Sequence, residues 1–429
     1  MSAGTTEAPT GPRLADPATF AGGVPHEAID ALRAATPVAW QPMGTATAQP
    51  SPSGRRVGSE DVDGEPGFWA VLRHADVVTV AREPVLFSAT KGGVVLEDLP
   101  EDSLEMMRGM LLAMDPPRHV TYRKPLADTF KARVIAGMEP QIRALTKTVL
   151  ADAAILCAER GEVDFVHDVA AHIPTQVMGR LMGLPEADWA LLHTLAERQT
   201  SGQDPEVTGE VDHSASIEMA MYAIGFAGER RAQPPQEDLT TLILEGDFGG
   251  QAMSDVDFGS FFVQLVTAGN DTTQTMLSSG LLALLAHPEQ MAALRADRSL
   301  IAGAVEEILR WANPLHYFRR TASEDTSLGG QDIAAGDKVA MYYTAANRDP
   351  AVFADPHTFD ITRSPNPHLS FGIAEHFCLG VHLARLEGRI FFEELLAAFP
   401  AIEPAGDPVR LRSNLNNSYK RVPVRLSPS

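Results

Sequence analysis

Cysteine is nearly missing: Cys157 and Cys378 are the only two in 429 residues. Two cannot build a disulfide framework or a four-cysteine metal site, so each must be judged by its neighbours. Cations are also scarce, with 35 Lys and Arg against 56 Asp and Glu and a net charge of −21. That balance excludes a nucleic-acid binder, because nothing supplies the counterion release that drives phosphate binding. No run of about 18 apolar residues occurs, so no membrane span is expected. The opening MSAGTTEAPTGPRLADP lacks the basic and apolar regions of a signal peptide, which points to a soluble, cytoplasmic protein. No internal repeat at solenoid periods is found. What is present is apolar: 44% hydrophobic and 21% charged residues suffice for a large core and exclude global disorder.

Residues 1–17, rich in Ala, Thr, Gly and Pro, read as a flexible tail. No boundary divides residues 18–429, which read as one domain. The polar segment 42–66 lies between strand-like VAW (38–40) and FWAVL (68–72), and reads as a long mobile hairpin loop. From about 118 to 310 the apolar spacing is mostly helical. Ser254 with Asp257 opens a capping pattern, and a helix then runs without Pro to His287. At about 33 residues it spans roughly 50 Å. Its apolar residues on nearly every side (FFVQLV, LLALLA) predict a path through the domain centre. Helices are also expected over 298–311 and 379–397, with short strands between. The fold class is mainly α with small β-sheets.

Five constellations carry chemistry. The first is HLSFGIAEHFCLGVHLARLE (368–387), where Cys378 precedes a helix. Orphan N–H groups and the positive end of the dipole favour thiolate there. Gly372 and Gly380 let the backbone approach something flat or bulky, although a lone C-x-G also describes a buried structural cysteine. The second is Ala268-Gly269-Asn270-Asp271-Thr272-Thr273, mid-helix. Gly, Asp and Thr are poor interior residues, so a functional reason competes with a simple kink. A Thr hydroxyl bonding one turn back would leave a polar notch, with Asp271 beside it to relay protons. The third, Glu307 and Arg310 at i and i+3, is alone an ordinary helix pair. The fourth is the irregular stretch 346–363, where Arg363 could bridge Glu307 or simply be solvated. In the fifth, Asp115-Pro116-Pro117-Arg118-His119, a helix start puts His119 and Arg123 on one face, suited to a carboxylate or to solvent.

In this order and spacing the five motifs resemble the cytochrome P450 family of heme-thiolate monooxygenases, over nearly the whole chain from about Phe20. Phe371, Gly372, His376, Cys378 and Gly380 match the family's F-G-x-G-x-H-x-C-x-G pattern, which departs at Ala374, where Gly is usual. The resemblance implies a cytochrome P450 fold with the long helix crossing the heme. Cys378 would be the axial thiolate ligand of the iron of heme b, with Phe371, Gly372, Gly380, Ala268 and Gly269 against the cofactor. His119, Arg123, Arg320 and His376 would bind the propionates. Asp271 and Thr272 would deliver protons to oxygen at the iron, and Glu307, Arg310 and Arg363 would form a structural triad. Cys157, on an apolar helical face, remains a core residue.

The wording is close to soluble bacterial members acting on sterols and branched lipids, and to natural-product tailoring enzymes. Val94, Val95, Leu96, Met107, Met110, Val266, Leu315, His316, Tyr317, Asn416 and Asn417 would line the pocket. His316 and Tyr317 lie where the strand after the Glu307–Arg310 helix should pass over the heme. Asn416-Asn417-Ser418-Tyr419 stands where many members have an apolar residue and a Gly. Polar groups there suggest a substrate with hydrogen-bonding groups, unless they face solvent. Hydroxylation of a mid-sized, largely apolar natural-product intermediate in secondary metabolite biosynthesis is therefore expected. The alternatives are a sterol or branched-lipid hydroxylase, and coupling or desaturation at the same centre. A heme carrier without turnover fits the Asp271–Thr272 pair poorly. Electrons would come from NAD(P)H through a reductase and a ferredoxin, docking on a basic patch of Arg118, Lys124, Lys131 and Arg133. A monomer is the default expectation.

Overall fold

The computed structural model describes residues 11–43, 67–208 and 214–428. Eight helices frame the site: α1 Arg118–Ala127, α2 Glu139–Arg160, α3 His172–Leu181, α4 Trp189–Thr200, α5 Ser214–Arg231, α6 Asp255–Ala286, α7 Ile301–Ala312 and α8 Val381–Ala398. α6 is the expected long helix. Ser254 caps it, its hydroxyl accepting the Asp257 N–H at 3.1 Å, and it ends at His287 before Pro288. Its 32 residues span about 48 Å. Phe258, Phe261, Phe262, Val263, Leu277, Leu281 and Leu284 are buried around its circumference. Packing on α3, α4, α5, α7 and α8 accounts for that all-round burial.

The β portion is small, as expected. Strands β1 (Val38–Gln41), β2 (Phe68–Val71), β3 (Phe87–Ser88), β4 (Tyr317–Ala322) and β5 (Lys338–Tyr342) form one sheet in the order β1-β2-β5-β4-β3. β1 and β2 pair antiparallel with Ala39 opposite Ala70, as the hairpin reading requires, while β2 and β5 run parallel. The loop between β1 and β2 falls, from residue 44 to 66, outside the described residues. A second sheet joins Val163–Asp164, Pro423–Ser427 and Ala401–Pro404.

The expected tail is too long at its C-terminal end. Leu14 is fully buried, its N–H donates to Gln41 Oε1 at 3.2 Å, and Tyr342 Oη donates to its carbonyl at 3.1 Å. Residues 11–17 are thus part of the packed fold, and residues 1–10 lie outside the described residues. Cys157 is a core residue of α2, and its Sγ accepts the Leu426 N–H at 3.2 Å.

Candidate active site

The cysteine loop is built on two left-handed residues. Gly372 has φ +66° and Ala374 φ +60°, so alanine keeps the backbone angle that glycine adopts freely. The Cys378 N–H donates to the Phe371 carbonyl at 2.8 Å and closes the loop. Burial pushes the Cys378 thiol up, opposed by the Gly380 amide and by the Arg123 and Arg385 guanidiniums. Loss of solvation thus opposes the bias toward thiolate expected of a helix N-terminus. A bound metal cation reverses that balance, since a coordinated thiol is deprotonated outright.

Between α1 and this loop lies a cluster of cationic and imidazole groups. The rings of His119 and His376 stand 4.4 Å apart, and Arg123 Nη2 donates to the Phe377 carbonyl at 2.6 Å. Burial, then Arg320, His119 and Arg123, lower His376 to about 2, the bottom of its range. Burial, then Arg123 and Arg320, lower His119 to about 4. Both ring nitrogens of His119 and Nε2 of His376 are buried without a partner among the described residues. The carboxylate felt there, Asp115, is held by Ser88 Oγ and by the Ala89 N–H at 2.7 Å. Unpartnered buried polar groups beside two guanidiniums call for an anion with several acceptor oxygens.

α6 passes over this region. Ala268 is exposed although it sits midway along a buried helix, and Thr272, one turn on, is half-buried. Thr272 Oγ1 donates to the Ala268 carbonyl at 2.8 Å, the back-bond expected of the notch. One turn earlier, Gln264 Oε1 accepts the Leu112 N–H at 3.4 Å. Gln264, Ala268 and Thr272 thus form the accessible face of α6. Leu112 packs with Val94, Met107, Ala113 and Phe318 beside it. Sequence reasoning missed Gln264, Leu112 and Phe318, although the four-residue step back from Ala268 marks Gln264.

Asp271 turns to another side. Burial, then Glu197, push its carboxyl up to about 7, against hydrogen bonds from Thr200 and Ser418. Its Oδ2 has no partner among the described residues, and Ser418 Oγ is 2.8 Å from Thr275 Oγ1.

Behind the loop, Glu307, Arg310 and Arg363 meet. Arg310 Nε and Nη2 donate to both Glu307 oxygens at 2.8 and 2.7 Å, and Arg363 Nε stands 3.2 Å from Glu307 Oε2. The remaining Arg310 donors reach the carbonyls of Asn347, Pro356 and Thr358 at 3.0, 2.8 and 3.1 Å. Glu307 also accepts from the Asp360 N–H and Asn366 Nδ2, at 2.9 and 3.1 Å. The irregular chain is thereby tied to α7.

Several expected pocket and cofactor residues face elsewhere. His316 is fully buried, stacked on Phe20 at 4.2 Å with Nδ1 2.9 Å from Thr344 Oγ1. Tyr317 packs on Tyr342, and its Oη accepts the Leu96 N–H at 3.1 Å, so both Tyr317 and Leu96 belong to the core under β4. Asn416 Nδ2 donates to the Thr200 carbonyl at 2.7 Å, and Asn417 Nδ2 to those of Ala312 and Asn313. Asn417 Oδ1 also accepts from Arg410 Nη2, so both ends of that amide are used within the protein. Val266 packs toward α3, around a small void with Met178, Trp189, Leu192 and Asn270. A Cβ on Gly269 would stand 2.7 Å from Met178 Sδ, so that glycine admits α3 rather than a cofactor. Val94 and Met107 are brought together, Met110 joins the main helical core, and Val95 and Leu315 are half-buried.

The sequence profile of the cytochrome P450 family matches residues 221–417. The steroid C26-monooxygenase of Mycolicibacterium smegmatis is 37% identical over 361 residues, 83% of this chain and 83% of that protein. A methyl-branched lipid omega-hydroxylase of Mycobacterium tuberculosis is 36% identical over 365 residues, 84% of each chain. A Mycobacterium marinum cytochrome P450, solved in complex with pseudoionone, matches with a TM-score of 0.86 at 36% identity. That match covers 99% of this chain and 100% of that one.

Proposed function

The chain belongs to the cytochrome P450 family, and from that premise we propose that it hydroxylates a C–H bond of an elongated, largely apolar substrate of the steroid or methyl-branched lipid kind. Family membership makes it a heme-dependent monooxygenase with the mainly helical P450 fold. The residues present fit that group. The unpartnered imidazoles of His119 and His376, beside Arg123 and Arg320, suit two propionate carboxylates. Cys378, on a loop of small and left-handed residues, is the thiolate ligand. When bound, heme supplies oxygen activation at iron, and the thiolate favours O–O cleavage.

Around that centre each residue has a task. Thr272 keeps its proton on the Ala268 carbonyl and turns its lone pairs to the accessible face of α6. Asp271, titrating near 7, both gives and takes a proton at neutral pH. Glu307, Arg310 and Arg363 hold the chain that backs the cysteine loop. NAD(P)H, a reductase and a ferredoxin supply electrons. Of the basic patch, Arg118 is drawn to Asp257 at 3.6 Å and lies over Tyr122, which leaves Lys124, Lys131 and Arg133 as its outward part. Lys131 is exposed, and its surface pair with Asp128 is too weak to prevent docking.

The substrate class rests on one observation: Val94, Met107, Leu112 and Phe318 form an apolar cluster tied to α6 at Gln264, while His316, Tyr317, Asn416 and Asn417 each hydrogen-bond or lie in hydrogen-bond reach within the protein. The case for a polar tailoring substrate loses its support there, and the named relatives act on steroids and branched lipids. The test is a Soret-shift screen of the holoprotein with sterols, methyl-branched acids, and polyketide or peptide scaffolds. The red-shifted carbon monoxide complex is checked first. Sterols or branched lipids should give the tightest shifts. Shifts with the polar scaffolds alone would overturn the substrate class.

A further inference from the structure

Away from the cysteine loop, three metal-binding side chains converge where α4 meets the turn ahead of α3. His193 and Glu197 lie four residues apart on one face of α4. His167 is carried by Phe165–Ala170, a π-helical turn, a geometry that is rare and often marks function. Two carboxylates hold that turn. Asp164 Oδ1 accepts the Val166 N–H at 3.1 Å, and Asp168 Oδ2 accepts the Asp164 N–H at 2.8 Å. One ligand atom from each of His167, His193 and Glu197 lies within 4.8 Å of the other two. His167 Nδ1 is 3.8 Å from Glu197 Oε1.

The surroundings also resemble a metal site. His193 Nδ1 is 3.2 Å from Thr175 Oγ1 on α3. With Nδ1–H donating to that hydroxyl, the ring is oriented and Nε2 carries the free lone pair, as outer partners of ligating histidines arrange. Two imidazoles and one carboxylate form a donor set suited to Zn²⁺, with water in the fourth position. Bonds of about 2.0–2.2 Å in a tetrahedron need ligand atoms roughly 3.4 Å apart. His167 is exposed, so rotation of its side chain can bring its ring closer to the other two ligands. We propose that His167, His193 and Glu197 form a surface zinc site that fastens the π-turn to α4. The site shares no residue with the cysteine loop, but Glu197 is also the charge that helps raise the Asp271 carboxyl, and α4 packs against α6, so occupancy would be felt on that helix.

The test uses the heme-loaded, untagged, chelator-washed protein titrated with ZnCl₂ in competition with a chromogenic chelator. One equivalent should bind per chain, and the unfolding temperature should rise with zinc. His167→Ala and His193→Ala should each weaken binding by at least 10-fold. His167 is exposed, so its removal leaves folding intact, which the carbon monoxide spectrum verifies. Copper(II) bound at the same place should show nitrogen hyperfine coupling that His193→Ala diminishes. No stoichiometric binding, or an affinity in either variant equal to the parent's, would overturn the proposal.

Discussion

Ala374→Gly should stabilise the cysteine loop, and the structure gives the size of the effect. Ala374 sits at φ +60°, where a Cβ crowds the following carbonyl at a cost of about 1–2 kcal/mol. Its methyl is exposed, so deleting it sacrifices no packing. Against the relief stands the greater freedom of glycine in the unfolded chain, about 0.4–1 kcal/mol. The net gain is about 0.5–1 kcal/mol. Gly372→Ala is the mirror experiment: φ is +66°, and the new Cβ would stand 3.5 Å from the His376 carbonyl, an ordinary contact. Only backbone terms differ, so it should destabilise by a similar ~0.5–1 kcal/mol. In a chain this long each change shifts the unfolding midpoint by only about 1 °C, and the two variants separate by roughly 2 °C. Scanning calorimetry of both holoproteins, run beside the parent, resolves that gap. If both variants shift in the same direction, the backbone account is wrong. So is it if Ala374→Gly proves less stable than its parent.

Two further outcomes follow from buried charge. Glu307→Gln keeps the side chain's shape but leaves the fully buried Arg310, and Arg363 beside it, without their carboxylate, which should cost about 3–5 kcal/mol. The yield of carbon monoxide-binding protein should collapse, whereas a variant as stable as the parent would contradict the triad's structural role. Asp271, raised to about 7 from an unfolded value near 3.8, contributes stability that is complete below 3.8 and lost as pH climbs through 7. The permanently neutral Asp271→Asn should therefore gain on the parent as pH rises from 5 to 8. A pH-independent difference in midpoint would refute the raised carboxyl.

Much of this architecture was legible in the sequence, and the rest was not for identifiable reasons. α6 could be placed because Ser254 and Asp257 mark its start and Pro288 its end, both local signals. The hairpin of β1 and β2 followed from two short apolar runs flanking a polar one. Leu14 was misjudged because its burial depends on Gln41 and Tyr342, 27 and 328 residues away, which no local composition reveals. His316 and Tyr317 were misassigned because polar residues near a motif look available until their partners, Thr344 and the Leu96 amide, are known. The cysteine at a helix start suggests a thiolate, whereas desolvation, which works the other way, is set by the whole fold and has no local signature.

The same limit explains the errors on α6 itself. A helix apolar all round gives no phase, so periodicity cannot say which side meets the cofactor. Its three sides differ only in what they meet. Gln264, Ala268 and Thr272 form the accessible face, and Val266, Gly269 and Asn270 receive α3 with Met178 filling the glycine's notch. Asp271 and Thr275 face Thr200 and Ser418 instead. Neighbours in sequence are therefore not neighbours in task. Asp271 and Thr272 are adjacent yet point about 100° apart around the axis, so the carboxyl meets Thr200 and Ser418 while the hydroxyl donates to the Ala268 carbonyl. The Oδ2 of Asp271 is buried and unpartnered among the described residues, a difference between the two neighbours that a single-sided reading of the motif conceals.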